Sequence, residues 1–142
     1  MFGVEEMKAL LAEGFAPWVQ ALEIEPLELE AGVGRFRMPC GPQLARRGGT
    51  PVLCGQAVAA AADTAAVLTL AALNGRYRNL TTVDLSTHFL RPVTEPAAEI
   101  RVEAASNGRR MAVARVELRG WGEAGTGKLA AVSTAAFAYL ED

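Results

Sequence analysis

The sequence predicts an α+β fold in which a strongly curved antiparallel sheet wraps around one long buried helix. A single apolar run covers residues 52–73 and is rich in alanine, the residue with the best intrinsic helix propensity. After this run the hydrophobic pattern changes to period two and stays so for most of the remaining chain, as in half-buried strands. Asn107-Gly108 between two such segments is a strong hairpin signal. Loops alone cannot cover a helix that is apolar all round, so we expect the strands to enclose it.

The first half of the chain predicts two helices and two short strands. Apolar residues at intervals of three and four predict an amphipathic helix over 5–22, which Pro17 kinks or ends. Two short strands follow, with a turn at Ala31-Gly32 between them. The Gly- and Pro-rich residues 40–51 predict a loop, and Asn74-Gly75 ends the central helix. We expect the two strands at about 27–30 and 34–39, and the central helix at about 55–73.

The second half predicts a four-strand antiparallel meander. We expect its strands at about 79–91, 97–106, 110–120 and 128–140. Strict alternation in the first of them assigns to one face the polar residues Thr82, Asp84, Ser86 and His88. In the third strand, alternation turns toward the core the residues Ala112, Ala114, Val116 and Leu118. Val113, Phe137 and Tyr139 are assigned to the outer face, where apolar side chains favour oligomerisation.

Length, charge and composition exclude several classes of protein. A chain of 142 residues is most simply one domain, 1–142. A net charge of −2 without a Lys/Arg-rich stretch predicts no nucleic-acid partner. The first residues lack a basic start and an apolar signal core, which predicts a cytoplasmic protein without a membrane partner. Two cysteines and one histidine argue against a zinc site, a disulfide framework and a histidine-based hydrolase, so we expect no metal.

Asp63 is the only charged residue in the apolar run and the strongest candidate functional residue. Burying an isolated carboxylate is costly unless it is paired, hydrogen-bonded or protonated, and such groups concentrate at functional sites. Three structural alternatives stay open: a transmembrane helix, a structural aspartate bonded to backbone or threonine, and a solvated helix stripe. A central aspartate opposes membrane insertion by roughly 2.5–3.5 kcal/mol.

Local motifs around Asp63 and on the following strand resemble a known family. These motifs are Ala62-Asp63-Thr64-Ala65, Thr82-Val83-Asp84-Leu85 and Phe89-Leu90-Arg91-Pro92. With them, the chain resembles the PaaI-like hotdog-fold acyl-CoA thioesterases over about residues 20–140. Asn107-Gly108-Arg109 and residues 130–138 fit the same family less specifically. The resemblance implies the hotdog fold, an α+β fold whose curved antiparallel sheet surrounds a central helix.

The resemblance also implies catalytic roles. Asp63 matches the family's carboxylate, which acts as general base on water or attacks the thioester itself. Gly55 matches the residue whose backbone N–H points at the thioester carbonyl, and free N–H groups at a helix start suit a developing oxyanion. Thr82 matches a hydroxyl that holds water or substrate. The family usually has His-Gly-Gly at this helix start, whereas this chain has Cys54-Gly55-Gln56.

Further residues are candidates for substrate and CoA binding. Cys54 and Gln56 flank Gly55, and Cys54 is alternatively a nucleophile or a small buried residue. Arg91, Arg109 and Arg110 are candidates for the CoA phosphates or, alternatively, solvated side chains. His88 is expected to be an exposed or interface strand residue.

The resemblance implies hydrolysis of an acyl-CoA thioester, with a short, medium or aryl acyl group, to a carboxylate and CoA. CoA is then part of the substrate, and no separate cofactor is expected. A dimer or a tetramer of dimers is implied, with Gly55 and Asp63 supplied by different subunits. The alternatives are a non-catalytic module that binds or senses acyl-CoA and, less favoured, an acyl-CoA hydratase, which would pair an acid with a histidine.

Overall fold

A computed structural model describes residues 1–141 as one curved antiparallel sheet around a central helix. The sheet has six strands in the order β1-β2-β4-β5-β6-β3. The strands are β1 Glu25–Glu30, β2 Val33–Pro39, β3 Leu80–Phe89, β4 Ala97–Asn107, β5 Met111–Gly122 and β6 Gly125–Tyr139. The helices are α1 Val4–Gly14, α2 Pro17–Gln20 and α3 Gly55–Asn74, with a short 3-10 turn at Pro42–Leu44. This is the hotdog fold, and it confirms the predicted fold class.

Helix α3 forms the centre of the core, as the apolar run predicts. Six of its nine alanines are almost fully buried and let the sheet approach closely. The nearest approach is at Gly34 of β2, where any Cβ would overlap the Thr69 hydroxyl. The Thr69 hydroxyl itself donates to the carbonyl of Ala65, 2.9 Å away. The helix ends at Gly75, whose φ of 76° is the left-handed conformation that glycine adopts at little cost. Helix α3 is long and apolar enough to cross a bilayer, but most of it is buried inside this protein.

The N-terminal helix predicted over 5–22 is instead two helices. Ala16 is extended, with φ −60° and ψ 149°, and Pro17 is the first residue of α2. The residue before a proline is sterically disfavoured in the α conformation, so the chain breaks there and resumes with proline at its preferred first helical position. Met7 and Leu11 of α1 are buried, whereas Trp18 of α2 is exposed.

The prediction that Phe137 and Tyr139 lie on the outer sheet face is wrong. Both side chains are buried in the core, at 0% and 7% exposure. The physical reason is volume: a helix lined with alanine leaves space that larger sheet side chains must fill. Ala112, Ala114, Val116 and Leu118 do face inward, as predicted.

The outer sheet face is charged rather than apolar. Glu99 is buried on this face, and its Oε2 atom forms a 2.6 Å ion pair with the Arg35 Nε atom. The Arg35 guanidinium also lies over the Trp121 ring. Glu117 bonds Arg119 and Arg115, and these hydrogen bonds, that of Arg119 first, hold the pKa of its carboxyl below the usual value. This face therefore gives no support to self-association through apolar packing.

Candidate active site

Asp63 lies two turns into α3, half-buried, and is held by a hydroxyl from the sheet. The Thr82 hydroxyl of β3 donates a 2.8 Å hydrogen bond to the Asp63 Oδ1 atom. The other carboxylate oxygen of Asp63 accepts no hydrogen bond from any group of residues 1–141. The pair places a half-buried carboxylate in an otherwise apolar helix, as an enzyme needs for a base or nucleophile.

A β-bulge turns Thr82 toward the helix. Thr82 pairs with Phe137, and the next pair along the ladder is Asp84 with Ala136, so Val83 is an extra residue. Because Phe137 faces the core, its partner Thr82 faces the core as well. The predicted alternation, which put Thr82 on the same face as Asp84, Ser86 and His88, is wrong at this residue because the bulge shifts the register.

The start of α3 forms a second candidate half-site. Cys54 is the N-cap residue in an extended conformation, and its side chain makes no capping hydrogen bond. The first N–H groups of any helix lack intrahelical partners and carry partial positive charge, and here they begin at Gly55. The Phe89 ring lies 3.4 Å from the position that a Cβ on Gly55 would occupy. A Cβ at residue 55 would therefore lie in van der Waals contact with this ring, and a larger side chain would fill the space beside the helix start.

A cleft of about 450 Å³ opens at this helix start. Its walls are mainly apolar, and Arg46 and Arg91 line it as well. The Arg91 Nε atom donates to the Leu129 carbonyl at 3.1 Å, which ties the guanidinium to β6. The apolar lining residues are Val52, Leu53, Val58, Phe89, Leu90, Pro92, Val93, Ala130 and Ala131. Such a cleft suits an extended apolar ligand with an anionic end.

Arg109 and Arg110 lie at the opposite end of the sheet. They line a cleft of about 580 Å³ with Arg78, Tyr139 and other residues. Arg78 donates to the Arg109 carbonyl at 2.7 Å and stacks on the Tyr139 ring at 3.6 Å, which fixes the hairpin tip. The nearest β6 residues that line the two clefts, Ala131 and Ala138, are seven positions apart, about 24 Å at 3.4 Å per residue. Within one chain, Arg91 and the Arg109–Arg110 pair therefore do not form one site.

Gly55 and Asp63 are also separated within one chain. Eight residues of helix at 1.5 Å per residue place them about 12 Å apart. One thioester carbonyl cannot lie within hydrogen-bond distance of both. The described chain thus carries two incomplete halves: a helix N-terminus beside a cleft, and a carboxylate held by threonine.

The remaining sequence candidates are placed as follows. Gln56 is exposed at the helix start, and Cys54 is half-buried beside it. His88 is exposed on the outer face of β3, opposite Val132, away from Asp63. Arg46 was not singled out from the sequence, because it lies in a predicted loop without a motif. Phe89 belongs to the Phe89-Leu90-Arg91-Pro92 motif, but no role was assigned to its side chain from the sequence.

Comparison with known proteins agrees with this geometry. The sequence model described as the thioesterase superfamily matches residues 52–120, which include Gly55, Asp63 and Thr82. No curated protein shows a significant match to the chain. This match, together with the hotdog fold, supports thioester hydrolysis as the general reaction class. The match agrees with the resemblance of the sequence motifs to the PaaI-like family.

Several solved structures share the fold over nearly their whole length. A thioesterase of Haemophilus influenzae is 23% identical, with 99% of this chain and 92% of that chain covered and a TM-score of 0.83. A conserved protein of Pseudomonas aeruginosa is 26% identical over 89% of this chain and 95% of that chain, with a TM-score of 0.76. The E. coli PaaI protein from the phenylacetic acid degradation operon is 17% identical over 97% and 94%, with a TM-score of 0.77.

Proposed function

We propose that this protein hydrolyses acyl-CoA thioesters and that Asp63 is the catalytic carboxylate. The observation that carries the proposal is the hydrogen bond from the Thr82 hydroxyl to Asp63 Oδ1, on the helix inside a thioesterase-type fold. This bond fixes one carboxylate oxygen and directs the other away from Thr82. A buried structural role would satisfy both oxygens within the protein, whereas a catalytic role needs one left for the reacting group.

The chemistry then follows from two groups. The N–H at Gly55 stabilises negative charge on the thioester oxygen as water adds to the carbonyl carbon. Asp63 takes the proton from that water, the C–S bond breaks, and the CoA thiolate leaves with a proton. In the alternative, an Asp63 oxygen attacks the carbonyl, expels the thiolate and forms an anhydride that water then hydrolyses. Thr82 is a positioning residue in both.

The site is shared between two copies of the chain. About 12 Å of helix separates Gly55 from Asp63 in one chain, so the N–H group of one copy serves the carboxylate of the other. The dimer is the smallest active unit in this proposal. A tetramer of dimers stays a prediction without support from the outer sheet face, which is charged.

The two arginine-lined clefts suit the two ends of the substrate. The apolar cleft beside Gly55 takes the acyl group or the pantetheine arm, with a size that fits a short, medium or aryl acyl chain. Arg109, Arg110 and Arg91 are proposed to bind the phosphates, since guanidinium groups bind phosphate bidentately. Cys54 and Gln56, which flank Gly55 in the sequence, are proposed to contact the substrate near the reacting carbonyl. We propose no cofactor besides the CoA of the substrate, and a cytoplasmic location.

The test is thiol release from a panel of acyl-CoAs by the Asp63→Asn variant. This change keeps side-chain size but removes the base and nucleophile, so turnover should fall by roughly 10²–10⁴-fold. Acyl-CoA binding should change little. Glu103→Gln, on the exposed outer face, is the matched control and should keep wild-type activity. Unchanged turnover in a folded Asp63→Asn protein would overturn the mechanism.

Mixing two inactive variants tests the shared site directly. Gly55→Leu should block the helix start against Phe89, while its Asp63 stays intact. A mixed dimer with Asp63→Asn then contains one site with both wild-type groups. Random exchange between equal amounts should restore about a quarter of wild-type activity, because half of the dimers are mixed and each has one intact site of two. A mixture as inactive as its components contradicts sharing.

Two other functions are separated by the same assays. A module that only binds acyl-CoA would bind the panel tightly and release no thiol. A hydratase would add water to an unsaturated acyl-CoA without releasing CoA. The only histidine in the sequence is His88, and it faces away from Asp63 on the outer face of β3, so no imidazole assists a hydratase mechanism here.

A further inference from the structure

The inference concerns the tip of the β4–β5 hairpin, residues 107–110, which carries Arg109 and Arg110. Both side chains are exposed and line the cleft of about 580 Å³. Neither guanidinium forms a hydrogen bond or an ion pair with any group of residues 1–141. Exposed loop tips are usually among the mobile parts of a protein surface. This hairpin tip is instead held from several sides while its two arginines stay unbonded.

The backbone of the hairpin tip is held by Arg78 and by the end of β6. The Arg78 Nη1 atom donates to the Gly108 carbonyl at 3.4 Å, and its Nη2 atom donates to the Arg109 carbonyl at 2.7 Å. The Tyr139 N–H donates to the Arg110 carbonyl at 2.8 Å. Three successive carbonyls therefore have fixed partners, which leaves the backbone of both exposed arginines little freedom to move.

A closed ring of hydrogen bonds holds the same hairpin tip through Asn107. The Tyr139 hydroxyl donates to Asn107 Oδ1 at 2.6 Å, and Asn107 Nδ2 donates to Asn74 Oδ1 at 2.8 Å. Asn74 Nδ2 donates to the Tyr139 hydroxyl at 2.9 Å and closes the ring. These three residues end β6, β4 and α3. Each member donates once and accepts once, so no member can rotate without breaking two bonds.

Arg78 joins the two sets of contacts and has no capacity left for a ligand. Its guanidinium lies 3.6 Å above the centre of the Tyr139 ring, a cation–π contact. Its Nε atom pairs with Glu141 at 2.5 Å, so each of its three nitrogens has a partner. Arg76 pairs with Glu141 as well. Hydrogen bonds from Arg76 first, and Arg78 second, hold the pKa of the Glu141 carboxyl below its usual value.

The charges that remain in the cleft select its ligand. Glu141 balances the charge of the arginines that it binds, so Arg109 and Arg110 are left as two neighbouring cations. Guanidinium groups bind phosphate oxygens bidentately. Met111, 48% exposed, lines the cleft beside them and offers an adaptable apolar surface to a flat ring. Phosphate groups next to an aromatic base, as in a nucleotide, match both features.

We propose that Arg78 and Tyr139 are positioning residues of a nucleotide subsite, in which they hold the hairpin tip so that Arg109 and Arg110 bind the phosphates of CoA. The inference rests on the proposed function for the identity of the ligand. It adds the residues that preorganise the subsite and a preference for CoA thioesters over thioesters without a nucleotide. A preorganised tip strengthens binding, because less side-chain and loop freedom is lost when the ligand binds.

Truncated substrates test the subsite. Thiol release is compared for one acyl group carried by CoA and by pantetheine, which lacks the nucleotide and all phosphates. Arg109→Gln/Arg110→Gln should raise KM for acyl-CoA by at least about tenfold, because charge-assisted hydrogen bonds are lost. Arg78→Met should raise it by about 5- to 150-fold, the range for ordering two long side chains on binding. In both variants, kcat and all constants for acyl-pantetheine should stay unchanged.

The control for a lost positive charge is Arg101→Gln on the outer face of β4, which should leave both substrates unaffected. A loss in Arg78→Met that is equal for acyl-CoA and acyl-pantetheine would indicate a general disturbance of the fold and overturn the proposal. Unchanged KM for acyl-CoA in Arg109→Gln/Arg110→Gln would overturn the subsite itself.

Combined variants separate positioning from direct binding. The measurement is calorimetric binding of adenosine 3′,5′-bisphosphate, which does not depend on turnover. If Arg78 acts through Arg109 and Arg110, Arg78→Met should cause no further loss of affinity in the Arg109→Gln/Arg110→Gln background, because residues that act together are not additive. A direct phosphate ligand would cause its own loss in that background. A further loss of about tenfold or more would overturn the positioning role.

Two conservative variants keep the test informative should Arg78→Met fold poorly. Arg78→Lys keeps the charge but not the planar fork that reaches two carbonyls, so it should bind the bisphosphate as weakly as Arg78→Met. Tyr139→Phe keeps the buried ring but removes the hydroxyl that closes the hydrogen-bond ring, which should weaken binding by about 2- to 10-fold. Full affinity in either variant, with its melting temperature measured on the same sample, overturns the positioning role.

The outcome also separates this inference from the proposed function. A protein that binds the bisphosphate in an Arg78-dependent manner but releases no thiol from any acyl-CoA keeps the subsite and loses the proposed reaction. An enzyme whose hydrolysis depends on Asp63 but whose KM for acyl-CoA is insensitive to Arg78 and to the Arg109–Arg110 pair keeps its reaction and loses this subsite.

Discussion

The two edges of the sheet, β1 and β3, are built differently. β1 is short, carries Pro26 and a bulge, and presents Glu25, Glu28 and Glu30 to solvent. Helix α1 packs against it. Each of these features protects an edge against further pairing. β3 is longer, is covered by no helix on its free side, and exposes Val83, Phe89 and other apolar side chains.

The proposed site lies at the β3 edge of the sheet and not at the β1 edge. The protected edge belongs to the stable framework, and no candidate site residue lies on it. The open edge carries Thr82 and the ring beside Gly55. A site divided between both ends of an edge strand remains incomplete until that edge is paired. Assembly and catalysis are thus expected to depend on the same strand.

The largest expected effect comes from breaking the β3 edge. Leu85 faces inward on β3 opposite Ala135, and is partly exposed. Leu85→Glu should prevent pairing by placing a carboxylate in the apolar part of the interface. Activity should then fall by at least about 10²-fold, the usual effect of losing an oxyanion donor. Light scattering and thiol release on the same sample measure both effects.

The matched control changes a charge on the other edge. Glu30→Lys on β1 should leave molecular mass and turnover as in the unmodified protein, since that edge pairs only with β2. A fully active monomer of the Leu85→Glu variant, near the 15.0 kDa of one chain, would contradict both the contrast between the edges and the shared site.

The sequence predicts most elements of this fold, for identifiable reasons, but the predicted meander of the last four strands is wrong, because β3 pairs with β6 and not with β4. Helix α3 is predictable because its length and alanine content are extreme, and its end is marked by Gly75. The β4–β5 hairpin is predictable from Asn107-Gly108. Asp63 stands out because a charge inside an apolar run has few structural explanations.

The remaining features depend on register and packing, which a local pattern does not contain. The bulge at Val83 turns Thr82 toward Asp63, and only the pairing with β6 reveals it. Phe137 is buried because the alanine helix leaves volume to fill. Pro17 marks a break in the N-terminal helix, but whether a helix kinks or restarts depends on the packing after it. The approach of Arg46 to the helix start is set by tertiary structure alone.

A smaller effect is expected from Thr82, which positions Asp63 without reacting. Thr82→Val keeps the shape and removes the 2.8 Å hydrogen bond. A hydrogen bond to a charged group contributes about 1.5–3 kcal/mol, so kcat should fall by roughly 10- to 150-fold. KM should change little, because the carboxylate rather than the binding clefts is disturbed.

Two comparisons distinguish this from a general loss of stability. Thr82→Ser, which keeps the hydroxyl, should recover most of the lost kcat. Thr81→Val, at the neighbouring exposed position, should have no effect on turnover. Equal losses in Thr82→Val and Thr82→Ser would mean that the methyl group, and therefore packing, matters more than the bond to Asp63.

The smallest effect is expected from Cys40, which follows β2 on the closed side of the sheet. Burial first, and the charge of Glu95 second, raise the pKa of the Cys40 thiol from 9.0 to about 11. The folded protein therefore holds this proton more tightly than the unfolded chain, so the contribution of Cys40 to stability is full below pH 9 and declines as pH rises toward 11.

In a Cys54→Ser background, which we expect to keep most activity, alkylation of Cys40 should be slow at pH 8. Its rate should increase with pH until about 11, because only the thiolate reacts. Acyl-CoA should leave this rate unchanged, since Cys40 lines neither the cleft beside Gly55 nor the cleft beside Arg109 and Arg110. Protection by substrate would instead place a ligand next to the end of β2.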